Sequence, residues 1–407
     1  MFKIKNKWLV LLGALLAQIS IGSIYSWSLF NAPIAEAYGL DIDQVVTTFL
    51  IAIFFFAFAT LASGPLNIKK GPKITAIIGV LLYAGGVFLS SFAKTPFMFY
   101  ITYGMISGLG VGFVYVVPLA TLIKWFPKKK GTFTGISVGT FAAGSILFKQ
   151  VITYFLDQGA NTPELIQSTF LKLSLVYLVM GGIGALLIDA PEVKANEKTI
   201  KDGDYKPSKM IKTRNFVILF IAFLFTTMPG ILTIGLAKDI ATNMVGLELT
   251  VAQSIVTWVA VFNASGRMIS GMATDKIGAH NVIKITSVIS VLALAMFTFL
   301  DLNYFTFIVA ILGVVAGYGS FLAIFPSLVN RLFGESFYAA NYGIVYQGYG
   351  LAALVGPVVL KLTTEMTQAF MISMIIAIFG VITVFLVKPQ PKFVEENETV
   401  TIKNQTA

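Results

Sequence analysis

Apolar stretches of about 20 residues or more recur twelve times in this chain, near 8–31, 44–66, 72–93, 97–124, 132–156, 165–188, 215–241, 252–274, 281–300, 304–333, 338–361 and 366–387. That repetition leaves few ways to fold. In hydrocarbon every backbone N–H and C=O must find its partner inside the protein, and about 20 helical residues are needed to cross it, so each stretch is expected to be a spanning helix. At 57% hydrophobic and 12% charged over 407 residues, the chain cannot be a set of soluble domains. The fold class expected is an all-α polytopic membrane protein.

The stretches divide six and six. An N-terminal six-helix bundle is expected over 1–188, a polar cytoplasmic connector over 189–214, a C-terminal six-helix bundle over 215–388 and an unstructured cytoplasmic tail over 389–407. Lys3, Lys5 and Lys7 before the first stretch imitate a secretory signal, but the apolar run continues to about Phe30, too long for one, so it reads as a retained helix. Basic residues set the orientation. Lys69, Lys70, Lys73, Lys124, Lys128, Lys129, Lys130, Lys276, Lys284, Arg331 and the connector lie on one side, against Lys94, Lys238 and Lys361 on the other. Both termini are therefore expected in the cytoplasm, and the chain in the plasma membrane. The net charge of +10 is spread over these short loops, so it orients the chain and does not point to nucleic acid.

The halves repeat. Gly64 and Gly71 recur as Gly271 and Gly278, Gly112 as Gly319, and Phe126 as Phe333, all at an offset of 207. Repeats of this kind imply two parallel pseudo-symmetric bundles with a binding cavity between them near the midplane.

One stretch breaks the apolar rule. Trp258–Ile277 carries Arg267 in its interior, with Asn263 four residues earlier on the same helical face. An arginine at the centre of a membrane helix costs about 2.5 to 3.5 kcal/mol on insertion scales, so a chain that keeps one normally uses it. Ala264, Ser265, Gly266, Ser270 and Gly271 leave room beside it for neighbouring helices and a solute. A guanidinium offers a planar fork that holds a carboxylate through two parallel hydrogen bonds and stays charged. The alternative is a side chain snorkelling toward the headgroups.

Lys149 is a second intramembrane cation, read either as an attractor for the anion or as a snorkelling residue; Lys172 reads as the latter. Tyr25, Trp27, Tyr115, Tyr346, Gln347 and Tyr349 place hydroxyls, an amide and rings at membrane depth, as a small, partly apolar acid requires, though each could equally be packing. The absence of cysteine excludes disulfides, thiolate metal sites and cysteine nucleophiles. No Asp or Glu is central in any stretch and His280, the sole histidine, lies near a loop. No metal, cofactor or enzyme chemistry is expected, and no obvious intramembrane proton carrier.

Gly271-Met-Ala-Thr-Asp275-Lys276-Ile-Gly278 carries the pattern G-x-x-x-D-[RK]-x-G, and the chain resembles the major facilitator superfamily over nearly its whole length. The resemblance implies a conformational role for Gly271, Asp275, Lys276 and Gly278, and for Gly64 and Gly71 in the earlier copy, where Ile68 replaces the acid. Gly22-Ser-Ile-Tyr25-Ser26-Trp27, Lys124-Trp-Phe-Pro127, Asn263-Ala-Ser-Gly-Arg267, Phe325-Pro-Ser327 and Asn341-Tyr342-Gly343 are similar to the oxalate/formate antiporter family, nearest its bacterial pyruvate and monocarboxylate members. That family's oxalate exchangers place a lysine in the eleventh helix, where this chain has Tyr349. The similar eukaryotic monocarboxylate carriers have an aspartate where Asn263 stands. The resemblance favours Tyr25, Tyr115 and Tyr346 as site residues.

The expected function is alternating-access transport of a small monocarboxylate of the pyruvate, lactate or formate class, bound at Arg267. The alternatives are an oxalate or dicarboxylate exchanger, in which Lys149 substitutes for the missing lysine, and a carboxylate receptor without flux. Expected partners are the small organic anion, the lipid bilayer and either protons or a counter-anion; a monomer is expected.

Overall fold

The computed structural model describes residues 3–191 and 204–388; part of the connector and the tail expected to be unstructured lie outside the described residues. Among the described residues, eleven helices are long and apolar enough to cross a membrane: α1 Lys7–Tyr38, α2 Ile42–Lys70, α3 Pro72–Ser90, α4 Pro96–Trp125, α5 Pro127–Leu156, α6 Pro163–Leu187, α7 Arg214–Gly235, α9 Ala279–Phe299, α10 Tyr304–Phe333, α11 Tyr338–Lys361 and α12 Met366–Phe385. The twelfth, α8 Leu249–Ile277, is 29 residues long. Asn263, Arg267 and the neighbouring serines dilute its apolarity, and those residues are the reason it matters.

Local chemistry explains where the helices begin. Thr162 and Thr213 accept from Leu165 N and Phe216 N at the starts of α6 and α7, and Asn303 closes a capping box with Thr306 on α10. Each cap satisfies N–H groups that the first turn leaves orphaned. Gly71 and Gly278 end α2 and α8 with φ of +85° and +83°, a conformation that side chains other than glycine rarely adopt.

The repeat seen in the sequence is a repeat in space. A Cβ on Gly112 would lie 2.2 Å from the Phe56 carbonyl oxygen, and one on Gly319 would lie 2.2 Å from that of Asn263. Positions 56 and 263 are themselves 207 apart, so α2 crosses α4 as α8 crosses α10. Without side chains at these glycines, backbones meet directly and the two six-helix bundles, α1–α6 and α7–α12, take the same internal arrangement. Leu81, Leu175, Leu292 and Phe379 remain exposed on the outer faces, as lipid contact requires.

The halves touch chiefly along α5 with α8 and α2 with α11. Gly131 and Gly135 face Gly271, and Gly64 faces Ala339 and Ala340. Both contacts lie toward the helix ends whose loops carry Lys69, Lys70, Lys128, Lys129 and Lys276, here termed the lysine-rich face. Asp275 at the end of α8 accepts from Gly131 N at 2.8 Å and from Thr132 N and Oγ1 at 2.7 Å each, placing a carboxylate from one half at the N-terminus of a helix in the other. Lys130 adds an ion pair with Glu335 at 3.0 Å.

Candidate functional site

Two irregular stretches approach the centre. α1 passes into a 3₁₀ segment over Ser23–Phe30, which carries Tyr25, and α11 is interrupted at Tyr346 between Tyr338–Val345 and Gln347–Lys361. Non-helical backbone at membrane depth is tolerated where protein surrounds it, and it turns side chains toward the bundle interface.

Arg267 is wholly buried, with 0% of its surface exposed, which removes the snorkelling alternative. Its Nε donates to Asn263 Oδ1 at 3.2 Å, the partner expected from the four-residue spacing. Its Nη1 crosses to the other half and donates to the Val138 carbonyl of α5 at 3.1 Å. Nη2 is buried without a hydrogen bond. Among the described residues no carboxylate pairs with it. The guanidinium carbon lies 5.9 Å from the centre of the Phe141 ring, which offers partial compensation through its electron-rich face.

An aromatic box surrounds this cation. Phe141 packs edge-on against Tyr25 at 5.4 Å and Tyr115 at 5.0 Å; Tyr115 lies 5.3 Å from Tyr346, and Tyr346 lies 4.9 Å from Tyr349. Hydroxyls form a chain across the halves: Tyr25 to Tyr349 at 3.1 Å and Tyr349 to Tyr318 at 3.0 Å. The Tyr115 hydroxyl is buried without a hydrogen bond of good geometry. The arrangement therefore presents one positive fork with unused donor capacity, several hydroxyls and apolar ring faces. Such groups can together engage a compact anion, the fork through hydrogen bonds and the rings through apolar contact.

The structure brings together Arg267, Asn263, Tyr25, Tyr115, Tyr346 and Tyr349, and separates three others. Trp27 is buried within the N-terminal half, its ring tilted against that of Tyr103 with centroids 4.2 Å apart and its Nε1 donating to Val45 O. Gln347 is committed to α2 through the Ala57 carbonyl and Thr60. Lys149 is exposed and donates to Thr257 Oγ1 at 3.4 Å. It stands eleven residues beyond Val138 on α5, about 16 Å along the helix at about 1.5 Å per residue. The two carboxylates of oxalate share one carbon–carbon bond, so Lys149 cannot serve the second while Arg267 holds the first.

Phe141 and Tyr318 were not singled out from the sequence. Tyr318 lies between Gly317 and Gly319, a bulky polar ring flanked by residues that let helices close on it, and that flanking was the available signal. Phe141 gave none: it is one of 35 phenylalanines.

Of the residues expected to have a conformational role, Gly64, Gly71, Gly271, Asp275 and Gly278 sit at the inter-half contact or the turns beside it, and Lys276 is exposed next to Asp275.

Two six-helix bundles related by an internal repeat, closed around a buried polar centre, define a multi-pass membrane carrier. Residues 10–238 and 215–405 match the Major Facilitator Superfamily, and the chain belongs to it. It is 32% identical over 353 residues to the uncharacterized MFS-type transporter YhjX of Escherichia coli K12, covering 86% of each chain. It is 27% identical over 356 residues to the oxalate:formate antiporter of Oxalobacter formigenes, covering 86% of this chain and 83% of that one. In fold it is similar to the transporter FucP in the outward conformation, with a TM-score of 0.74 and 15% identity over 95% of this chain and 100% of that one.

Proposed function

We propose that the protein is a plasma-membrane carrier for a small monocarboxylate of the pyruvate, lactate or formate class, with Arg267 as the anion's receptor. The observation that carries this reading is a fully buried guanidinium with an unused Nη2 and no carboxylate partner among the described residues. An uncompensated charge in a low-dielectric interior is strongly unfavourable, so a solute that supplies the missing carboxylate gains what the protein lacks. Asn263 orients the fork, while Tyr25, Tyr115, Tyr346 and Tyr349 surround the rest of the solute.

Both termini and the connector 189–214 are assigned to the cytoplasm from the lysine distribution, with bundles over 1–188 and 215–388, the tail over 389–407 cytoplasmic, and a monomer as the working unit. The cycle proposed is alternating access. The anion neutralises Arg267, the halves rock about it, and the return step is easiest with another anion in place, or with a proton carried by the substrate. Gly64, Gly71, Gly271, Asp275, Lys276 and Gly278 belong to the moving interface.

Oxalate would need a second counter-charge near the first. Tyr349 provides a hydroxyl and Lys149 lies too far along α5, which favours a monocarboxylate over a dicarboxylate. The test is competition in proteoliposomes exchanging labelled pyruvate. Excess pyruvate, lactate or formate is expected to suppress label uptake, and oxalate at the same excess to leave most of it. Tyr349→Lys should make oxalate an effective competitor. If oxalate competes as well as pyruvate in the unaltered protein, the dicarboxylate reading replaces this one.

A further inference from the structure

The two contacts between the halves have corresponding architecture and different chemistry. At α5 and α8, Arg267 Nη1 reaches across to a backbone carbonyl, Val138 O, at 3.1 Å. The residue 207 positions before Arg267 is Thr60 on α2. Thr60 Oγ1 shares its one hydrogen between the Ala57 carbonyl of its own helix, at 2.7 Å, and a backbone carbonyl across the interface, Gly343 O on α11, at 3.1 Å. Val138 plus 207 is position 345, two residues from Gly343 on the same stretch of α11, so the acceptors lie on corresponding helices at neighbouring, not identical, positions.

Gln347 reinforces this second contact. Its Nε2 lies 2.8 Å from Ala57 O, 3.1 Å from Thr60 Oγ1 and 2.8 Å from Gly343 O. An amide nitrogen has two hydrogens for these three acceptors, so the group is fully engaged. The contact lies beside the interruption of α11 at Tyr346. Close approach makes it possible: a Cβ on Gly343 would stand 2.3 Å from the Thr60 carbonyl oxygen. Thr60 is wholly buried, where an unmade hydrogen bond is costly.

We infer that Thr60 and Gln347 form a latch that holds α2 against α11 independently of substrate, while the corresponding clasp at α5 and α8 is made by the anion receptor itself. The assignment of the second clasp to an anion receptor rests on the function proposed above; the latch does not. A carboxylate that takes the free Nη2 and the second hydrogen of Nη1 in a two-pronged grip draws the guanidinium toward itself and away from Val138 O, which loosens one side of the closure. Nothing about a bound anion weakens amide and hydroxyl bonds to the carbonyls of Ala57 and Gly343. The closure on the lysine-rich face therefore has a side that responds to substrate and a side that does not. Gln347 acts on the conformational equilibrium and does not touch the solute.

The native chain has no cysteine, so a single introduced thiol reports without background. Ala340 is 5% exposed and packs against Gly64, which makes Ala340→Cys a reporter of separation between α2 and α11. In ligand-free protein, Gln347→Leu or Thr60→Val should raise the rate of maleimide labelling at this thiol about tenfold, the factor expected for loss of about 1.4 kcal/mol of net hydrogen bonding. Gln347→Asn keeps the amide but is one methylene too short to reach Ala57 O; it should behave like leucine, and it guards against a folding defect in the apolar variant. Pyruvate binding, read by thermal shift, should be retained in all three.

The labelling assay contains no substrate, so a wrong ligand for Arg267 leaves it readable. Labelling that stays at the native rate in Gln347→Leu and Gln347→Asn would overturn the latch. So would an unchanged labelling rate with pyruvate binding lost, which would make Gln347 a ligand of the solute.

Discussion

Arg267→Ala is expected to reduce pyruvate exchange into proteoliposomes by at least about a hundredfold. Truncating one partner of a buried charge pair costs about 2–5 kcal/mol, and each 1.4 kcal/mol is about a tenfold change. Arg267→Lys should recover little of this. The guanidinium divides its donors among Asn263 Oδ1, Val138 O and an unused Nη2, and an ammonium on a shorter, non-planar end cannot serve three directions at once. Retained chromatographic behaviour with loss of the pyruvate-induced thermal shift separates a missing receptor from a misfolded chain. Near-native exchange by the alanine variant would end the assignment of Arg267 as receptor.

The second large effect is expected at Asp275. Its two carboxylate oxygens accept three hydrogen bonds, from Gly131 N and from Thr132 N and Oγ1, all across the half interface. Hydrogen bonds to charged groups contribute about 1.5–3 kcal/mol each, and a carboxylate at a helix N-terminus is further favoured by the aligned peptide dipoles. Asparagine at this position retains one acceptor and turns an NH₂ group toward backbone donors. Asp275→Asn should therefore open the lysine-rich face and increase labelling at Ala340→Cys by tenfold or more. The earlier copy of the motif has Ile68 at the corresponding position, so Ile68→Asn should leave labelling near the native rate. Equal responses at both positions would show that the hydrogen bonds of Asp275 do not hold this face closed.

How much of this was legible beforehand differs by residue. Asn263 and Arg267 were paired from a four-residue spacing, because helical periodicity is a local rule, and the two do bond. The offset of 207 anticipated that Gly112 and Gly319 stand in equivalent contacts, because small residues repeated in register mark equivalent crossings. Gln347 reads in the sequence as either a pathway-lining amide or a packing residue; the structure gives it the Ala57 carbonyl and Thr60 hydroxyl of α2 as partners. Trp27 met the same fate inside the N-terminal half, and Lys149 shares a helix with Phe141 but lies well beyond it.

Hydropathy, basic loops and the internal repeat determined on their own that the chain spans a membrane as two like halves with one anomalous arginine, since each of those signals is written along a single helix or a single loop. Which donors face the solute and which clasp the opposite half was decided only by tertiary packing. A backbone carbonyl such as Val138 O or Ala57 O carries no mark in the amino-acid sequence, and it becomes a partner only when glycines at the crossing let a helix from the other half come within hydrogen-bonding distance.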